Sequence, residues 1–366
     1  MGDGLHHMPP GTVERARGPA RRADLRGMLA ANIGLVRLFA ITVAIFAAMS
    51  LLRPELFFTW GNFSSMAFQF PEFAILSLAM MVAMLTGGID LSVIGLMNLS
   101  AILAALVLTA LGPEAAGTGA TLGVIALAIG VSLATGAAGG LLNGFCIARI
   151  GIPPILATLG TGLMFTGFAI AITNGHAVLG FPAAFSVIGN GSLGWIPVPL
   201  LIFAVLAVLV ALLLNRTAFG FRLYLMGTNP LAARFAGIDN AGLTIRTYLL
   251  SGALAATAGI VLMSRANSAK ADYGSSYLLL SILIAVLGGI NPYGGFGRVG
   301  GLVLAVLALQ FLSSGFNMLQ FSNFAKEFIW GALLLLVMVV NSVQFGRPGR
   351  PAATAEPTAQ SRERTP

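Results

Sequence analysis

Apolar residues arrive along this chain in long blocks, not in alternation. The run "LLIFAVLAVLVALLL" from Leu200 to Leu214 has no polar residue at every second position. It therefore does not suit a β-barrel wall, whose strands alternate lipid-facing and lumen-facing side chains. A helix satisfies its own backbone and needs roughly 20 apolar residues to cross a hydrocarbon core. Segments of that kind fall at 33–52, 67–86, 92–111, 122–148, 154–173, 198–215, 246–264, 277–290, 299–316 and 326–344. The second is interrupted by Pro71 and the eighth is short. The pattern predicts an all-α, polytopic transmembrane bundle of about ten spans, occupying residues 33–345.

Composition supports this and adds a direction. The chain is 57% hydrophobic and only 9% charged, too apolar for a soluble domain. Its net charge of +8 would suggest a nucleic-acid partner in a soluble protein, but here the basic residues are sorted by side. With the N-terminus in the cytoplasm, inner segments hold Arg149, Arg216, Arg222, Arg234, Arg246, Arg298, Arg347 and Arg350, and outer ones only Arg53, Arg265, Lys270 and Lys326. This asymmetry predicts an even number of spans with both termini cytoplasmic, and no nucleic-acid partner. Residues 1–32, with Arg15, Arg17, Arg21, Arg22 and Arg26, read as a disordered basic tail, and residues 346–366 as a second disordered tail. The first apolar run reads as an uncleaved anchor. One cysteine, Cys146, and three scattered histidines point to no disulfide framework, metal site or cofactor.

Three features interrupt the apolar pattern. In "GTNPLAARFAGIDN" (Gly227 to Asn240), Asn229 suits an N-cap, Pro230 the first helical position and Gly237 the stop, so about two helical turns are expected. Leu231, Phe235 and Ile238 share one stripe, with Arg234 pointing elsewhere and Ala233 and Ala236 between. Such a helix lies either in the membrane interface or as a knob in a partner's groove. In "TGGIDLSVIGLMNLSA" (Thr86 to Ala101), Gly87 and Gly88 break a helix and Asp90 or Ser92 is placed to cap the next. An aspartate at mid-membrane costs about 2.5–3.5 kcal/mol on insertion scales. Asp90 therefore either sits near the headgroups or orders a broken helix beside a translocation path. "LTGGIDLS" is echoed by "LGGINPY" (Leu287 to Tyr293), and both turns fall on one side in this topology.

Asn98, Asn143, Thr158, Thr161 and Asn317 are polar residues in apolar spans, with Phe165 and Phe168 nearby. They either join helices by hydrogen bonds or line a route for a hydroxylated solute. Ser251, Ala255 and Gly259, and the "GAAGG" of Gly136 to Gly140, predict closely packed helix pairs. The loop from Gly175 to Pro197, with Trp195, is the longest outer connection.

Five stretches occur in a familiar order: "GGIDLSV", "NGFCIARIGIPPILATLGTGLMFTGFA" (Asn143 to Ala169), "NGSLGWIPVP" (Asn190 to Pro199), "GTNPLAARFAGI" and "LGGINPYGGFGRVGG" (Leu287 to Gly301). From about Leu35 to Asn341 the chain resembles the permease subunits of bacterial ATP-driven importers of the ribose, xylose and galactose type. The resemblance implies a ten-helix permease working as a pair, fed by a periplasmic solute-binding protein and driven by a tandem cytoplasmic ATPase. It also implies that Gly227 to Ile238 is the cytoplasmic loop contacting that ATPase. The only lysines, Lys270 and Lys326, lie in no phosphate-binding loop, so ATP hydrolysis is expected on another chain and this one is not an enzyme. The chain departs from the family at Ile94, where glycine is usual, and at Leu231, where a polar residue is. It also has Leu278 and Leu280 near positions that are acidic in relatives. Alternatives are a permease of the branched-chain amino acid type, favoured less by "GGIDLS", and an ion-coupled transporter using Asp90 or Glu72.

Overall fold

A computed structural model describes residues 33–112 and 117–345; the two predicted tails lie outside the described residues. The chain forms helices α1 (Ile33–Leu52), α2 (Trp60–Gln69), α3 (Pro71–Met84), α4 (Val93–Leu111) and α5 (Thr118–Phe145). There follow α6 (Pro154–Thr173), α7 (Val198–Arg216), α8 (Ala218–Thr228), α9 (Pro230–Phe235) and α10 (Asn240–Ala266). The last are α11 (Tyr277–Leu287), α12 (Val299–Met318) and α13 (Asn323–Phe345). The strands described are four two-residue pieces, β1 (Val178–Leu179), β2 (Ser192–Leu193), β3 (Ile196–Pro197) and β4 (Ser268–Ala269), paired β1 with β4 and β2 with β3.

Every predicted span falls on a helix, but two are not simple crossings. Eight described helices are long and apolar enough to cross a membrane. The segment predicted at 67–86 is the pair α2 and α3, bent by 43°. Pro71 stands at the first position of α3 and has no N–H to continue the ladder from α2. The segment predicted at 277–290 is α11, only 11 residues long, or about 16 Å against a hydrocarbon core of about 30 Å. The preceding loop returns into the bundle to meet it: the Asn98 amide, on α4, donates to the carbonyls of Ala271 and Tyr273, both at 2.9 Å. Asn98 thus satisfies backbone that would otherwise be unpaired at depth.

The bundle is built around α3 and α10. Every residue of α3 is buried, and α10 packs on α3, α4 and α5. The α5–α10 crossing depends on the small residues singled out above. A Cβ on Gly136 would strike the Gly252 carbonyl, one on Gly140 the Tyr248 carbonyl, and one on Gly144 would lie 2.7 Å from the Ile245 Cα. The backbones touch, and neighbouring peptide and side-chain groups gain dispersion contacts that larger residues would block. Around this centre α1, α7 and α13 present leucines, valines and phenylalanines outward, as lipid-facing surfaces do.

Gly140→Ala should therefore destabilise the bundle by about 1–3 kcal/mol, as overpacking does. Gly160→Ala, whose Cβ would meet nothing within 4 Å, should leave the unfolding temperature in detergent unchanged, and thermal scans of the two variants check the contrast.

Candidate functional site

The helix expected after Gly227 forms. Asn229 caps α9, its side chain accepting the Ala232 N–H at 2.9 Å, and Gly237 ends the turn at φ +78°. Ala233 is buried beneath it, whereas Leu231 and Phe235 are 64% and 86% exposed. Ile238, the third residue of the predicted stripe, is half-buried against the bundle's own core. Arg234 is exposed.

The base of this knob is joined to the rest of the bundle at a junction of glycines. Gly227 ends α8 with its Cα against the Leu85 carbonyl and the Gly295 amide, where a Cβ on Gly227 would collide with both. The Gly295 N–H donates to that same Leu85 carbonyl at 3.1 Å, and the Tyr224 hydroxyl donates to the Gly297 carbonyl at 2.8 Å. Gly87, at φ +84°, would place a Cβ 3.1 Å from the Tyr293 carbonyl. Three chain segments thus meet backbone to backbone: the end of α3, the end of α8 and the loop before α12. The repeated turn is part of this junction, so its two copies do lie on the same side of the bundle. Each closes with the same local bond, Asp90 accepting from the Ser92 N–H at 3.1 Å and Asn291 from the Tyr293 N–H at 3.1 Å.

Beyond the junction Asp90 is fully buried. The expectation that Asp90 or Ser92 caps α4 is corrected: Ser92 holds the cap position without a side-chain cap bond, and Asp90 bonds Ser92 itself. The side chain of Asp90 instead joins helices. Its Oδ1 also accepts from the Ser92 hydroxyl at 2.7 Å, and its Oδ2 from the Ser251 hydroxyl of α10 at 2.8 Å. Asn143 of α5 donates to Ser92 Oγ at 2.7 Å, and Thr161 of α6 donates to Asn143 Oδ1 at 2.5 Å. Thr158 accepts the Leu91 N–H at 3.0 Å and lies 3.1 Å from the Ile89 carbonyl. A carboxylate in such a place needs donors on both oxygens, and it has them. Gly87, Gly88, Asp90, Ser92, Asn143, Thr158 and Thr161 are brought together. Asn98 and Asn317 lie elsewhere.

The sequence matches a known family. The chain matches, over residues 62–338, the family described as branched-chain amino acid transport system, permease component. It is 35% identical over 279 residues to the autoinducer 2 import system permease protein LsrD of Yersinia enterocolitica, covering 75% of this chain and 81% of that protein. The LsrD proteins of Yersinia pseudotuberculosis and Yersinia pestis are 34% identical over the same length, covering 75% of this chain and 80% of theirs. No solved structure matches. The chain belongs to this permease family. With eight candidate spans and one bent pair, it is a multi-pass inner-membrane protein and a transport subunit.

At the end of α10 away from the knob, the permease carries a second polar centre. Glu72, fully buried at the start of α3, receives Arg265 on both oxygens, through Nε on one and through Nη2 at 3.0 Å on the other, while the Tyr277 hydroxyl donates at 3.2 Å. Arg265 and Tyr277 line a recess of about 310 Å³ above the short α11. Asn317 lies on its wall and accepts from Lys326. No acidic group occupies Leu278 or Leu280, which pack on the core, but Glu72 brings a carboxylate to the same neighbourhood from α3. Near this end Asp272 bonds Lys270 at 2.9 Å and holds its ammonium above the usual lysine value.

Sequence reading missed Tyr248 and the pairing of Glu72 with Arg265, and took Ser251 for a packing residue and Glu72 only for the titratable site of an ion-coupled alternative. Ser251 and Tyr248 sit among small and apolar residues of α10 and look like packing. Tyr248 is fully buried with its hydroxyl against Gly88 and without a hydrogen bond among the described residues. Two charges flanking apolar spans, Glu72 and Arg265, were the available signal for the far centre.

Ser251→Ala would leave one oxygen of a buried carboxylate without a donor, which costs about 1–3 kcal/mol. The expected drop in unfolding temperature is measurable on the purified permease in detergent, and a stability equal to the parent would mean that Asp90 is not held as described.

Proposed function

We propose that this permease is the translocating subunit of an ATP-driven importer of a small polar solute, a monosaccharide or a relative of one. Its motor is a separate cytoplasmic ATPase, in tandem form, seated on Leu231 and Phe235. One observation carries the reading: a capped helix exposes a leucine and a phenylalanine, and its base is joined through the glycine junction to the turn that bears Asp90. A knob left open to water loses the stabilisation its apolar area would gain in a groove, about 25 cal/mol per Å² buried. A ligand shifts a conformational equilibrium only by its differential affinity for the two states. An ATPase that closes around the knob in one nucleotide state supplies that difference, and the junction carries it to the Asp90 network beside the path.

The knob then faces the cytoplasm, with both termini on that side, as the arginine distribution supports. The Gly175–Pro197 loop lies at the other end, held to α10 by Asn190, whose amide donates to the Ser264 carbonyl at 3.2 Å. It presents Trp195, 76% exposed and 6.1 Å from Trp60 between ring centroids. This aromatic pair suits one edge of a platform for the periplasmic binding protein, and the permease works as a pair of identical chains. The sugar branch is favoured over the branched-chain amino acid branch by "GGIDLS" and by the autoinducer 2 import relatives. An ion-coupled mechanism needs a carboxylate free to exchange its partner. Here both carboxylates are engaged, Asp90 by two serines and Glu72 by Arg265 and Tyr277.

Phe235→Asp replaces the most exposed apolar residue of the knob with a charge that a greasy groove rejects. The variant should insert and unfold like the parent, fail to co-purify with the ATPase, and lose ATP-driven uptake of labelled sugar in cells. Retained uptake would refute the docking role.

A further inference from the structure

Beside the glycine junction, α1, α13, the end of α11 and the loop before α12 enclose a groove of about 540 Å³, well inside the range of roughly 300–1,000 Å³ for ligand pockets. Ile41 of α1 and Leu336 and Val340 of α13 line it and are exposed. These are surfaces that face lipid in this bundle, so the groove opens toward the bilayer.

Two cations share the groove, Arg37 in the second turn of α1 and Arg298 just before α12. The starts of these two helices lie side by side, since a Cβ on Gly301 would be 3.4 Å from the Leu35 side chain. Both arginines therefore stand near one membrane surface, and Ile41 lies one helical turn deeper than Arg37. Among the described residues no aspartate or glutamate lines the groove. Each arginine also has an interaction within the chain, but a guanidinium has five N–H donors in a planar fork that suits phosphate oxygens, so it can take a phosphate as well.

An anion free in water would gain from the arginines and nothing from Ile41, Leu336 and Val340. An uncharged lipid would gain only the reverse. The chain's own tails are poor occupants, because arginines outnumber acidic residues five to three in residues 1–32 and four to two in residues 346–366. Only a ligand with an anionic head and an apolar tail uses the whole groove, and basic pockets between spanning helices suit such headgroups.

We propose that this groove binds an anionic phospholipid, its phosphate held by Arg37 and Arg298 and an acyl chain laid along Ile41, Leu336 and Val340. The groove's wall is part of the junction, since the Gly297 carbonyl that lines it accepts the Tyr224 hydroxyl. A lipid seated there holds the junction in the arrangement described above. The site requires nothing of the cargo.

The test titrates delipidated full-length permease in detergent with dioleoylphosphatidylglycerol, dioleoylphosphatidylcholine or inorganic phosphate, and follows native mass spectra and the unfolding temperature. Phosphatidylglycerol should bind saturably and raise the unfolding temperature, as a ligand of the folded state does. Neither other probe should do so. Arg37→Gln and Arg298→Gln should each weaken phosphatidylglycerol binding about tenfold, the loss of one charge-assisted bond. Arg149→Gln removes an arginine outside the groove and should leave that binding unchanged. Arg37 is exposed, so Arg37→Gln without lipid should unfold like the parent, and it decides the matter if Arg298→Gln does not fold. Equal binding of phosphatidylcholine, an equal response to inorganic phosphate, phosphatidylglycerol binding unchanged by Arg37→Gln, or an equal loss in Arg149→Gln would each overturn the site. So would a dimer mass that forms without lipid and is lost in Arg37→Gln, which would give the groove to a second copy of the chain.

Discussion

The permease depends on one close contact, the seating of Gly227 against the Leu85 carbonyl that Gly295 also bonds. Without side chains in between, the end of α3, the end of α8 and the loop before α12 become one rigid node. A protein interior is densely packed and does not deform continuously, so a node of this kind moves as a unit or not at all. The knob hangs from one arm of it, and the buried carboxylate of Asp90 lies three residues beyond Gly87 on another.

The two polar centres, one at the middle of α10 and the other at its C-terminal end, divide the work. On the knob side, Asp90 is enclosed by Ser92 and Ser251 and linked through Asn143 to Thr161, so α4, α5, α6 and α10 share a single hydrogen-bonded chain. Removing one partner of a buried charge is far more costly than the pair is favourable, which makes the network a device for fixing one arrangement. On the far side Glu72 and Arg265 pair with each other beside a recess that Lys326 and Glu327 also line. Alternation between outward and inward states would then require the node to shift these helices together.

Much of this was legible in the sequence. Block length located the eight helices long enough to cross and the bent pair, because the cost of unpaired backbone in lipid leaves few ways to build a span, but it also counted the 11-residue α11 as a tenth. Asn229, Pro230 and Gly237 marked the knob, since capping is local chemistry written in adjacent residues. The shortness of α11 was visible, but its depth was not, because that depends on Asn98 reaching a loop 173 residues away. Asp90 stood out as a charge in an apolar context, yet its partner Ser251 lies 161 residues off among alanines and could be identified only by the fold. Of the two residues expected to cap α4, Ser92 holds the cap position without a side-chain bond, and Asp90 instead bonds the amide two residues on.

The central claim is that nucleotide energy enters at the knob and crosses the glycine node. It is tested most directly by the ratio of ATP hydrolysed to solute moved in the reconstituted importer carrying Gly227→Ala, whose new methyl group must part the node. The account predicts an assembled complex that still hydrolyses ATP but moves much less solute for each ATP consumed. An unchanged ratio, with the variant folded and bound to its ATPase, would show that the motion reaches the membrane by another route.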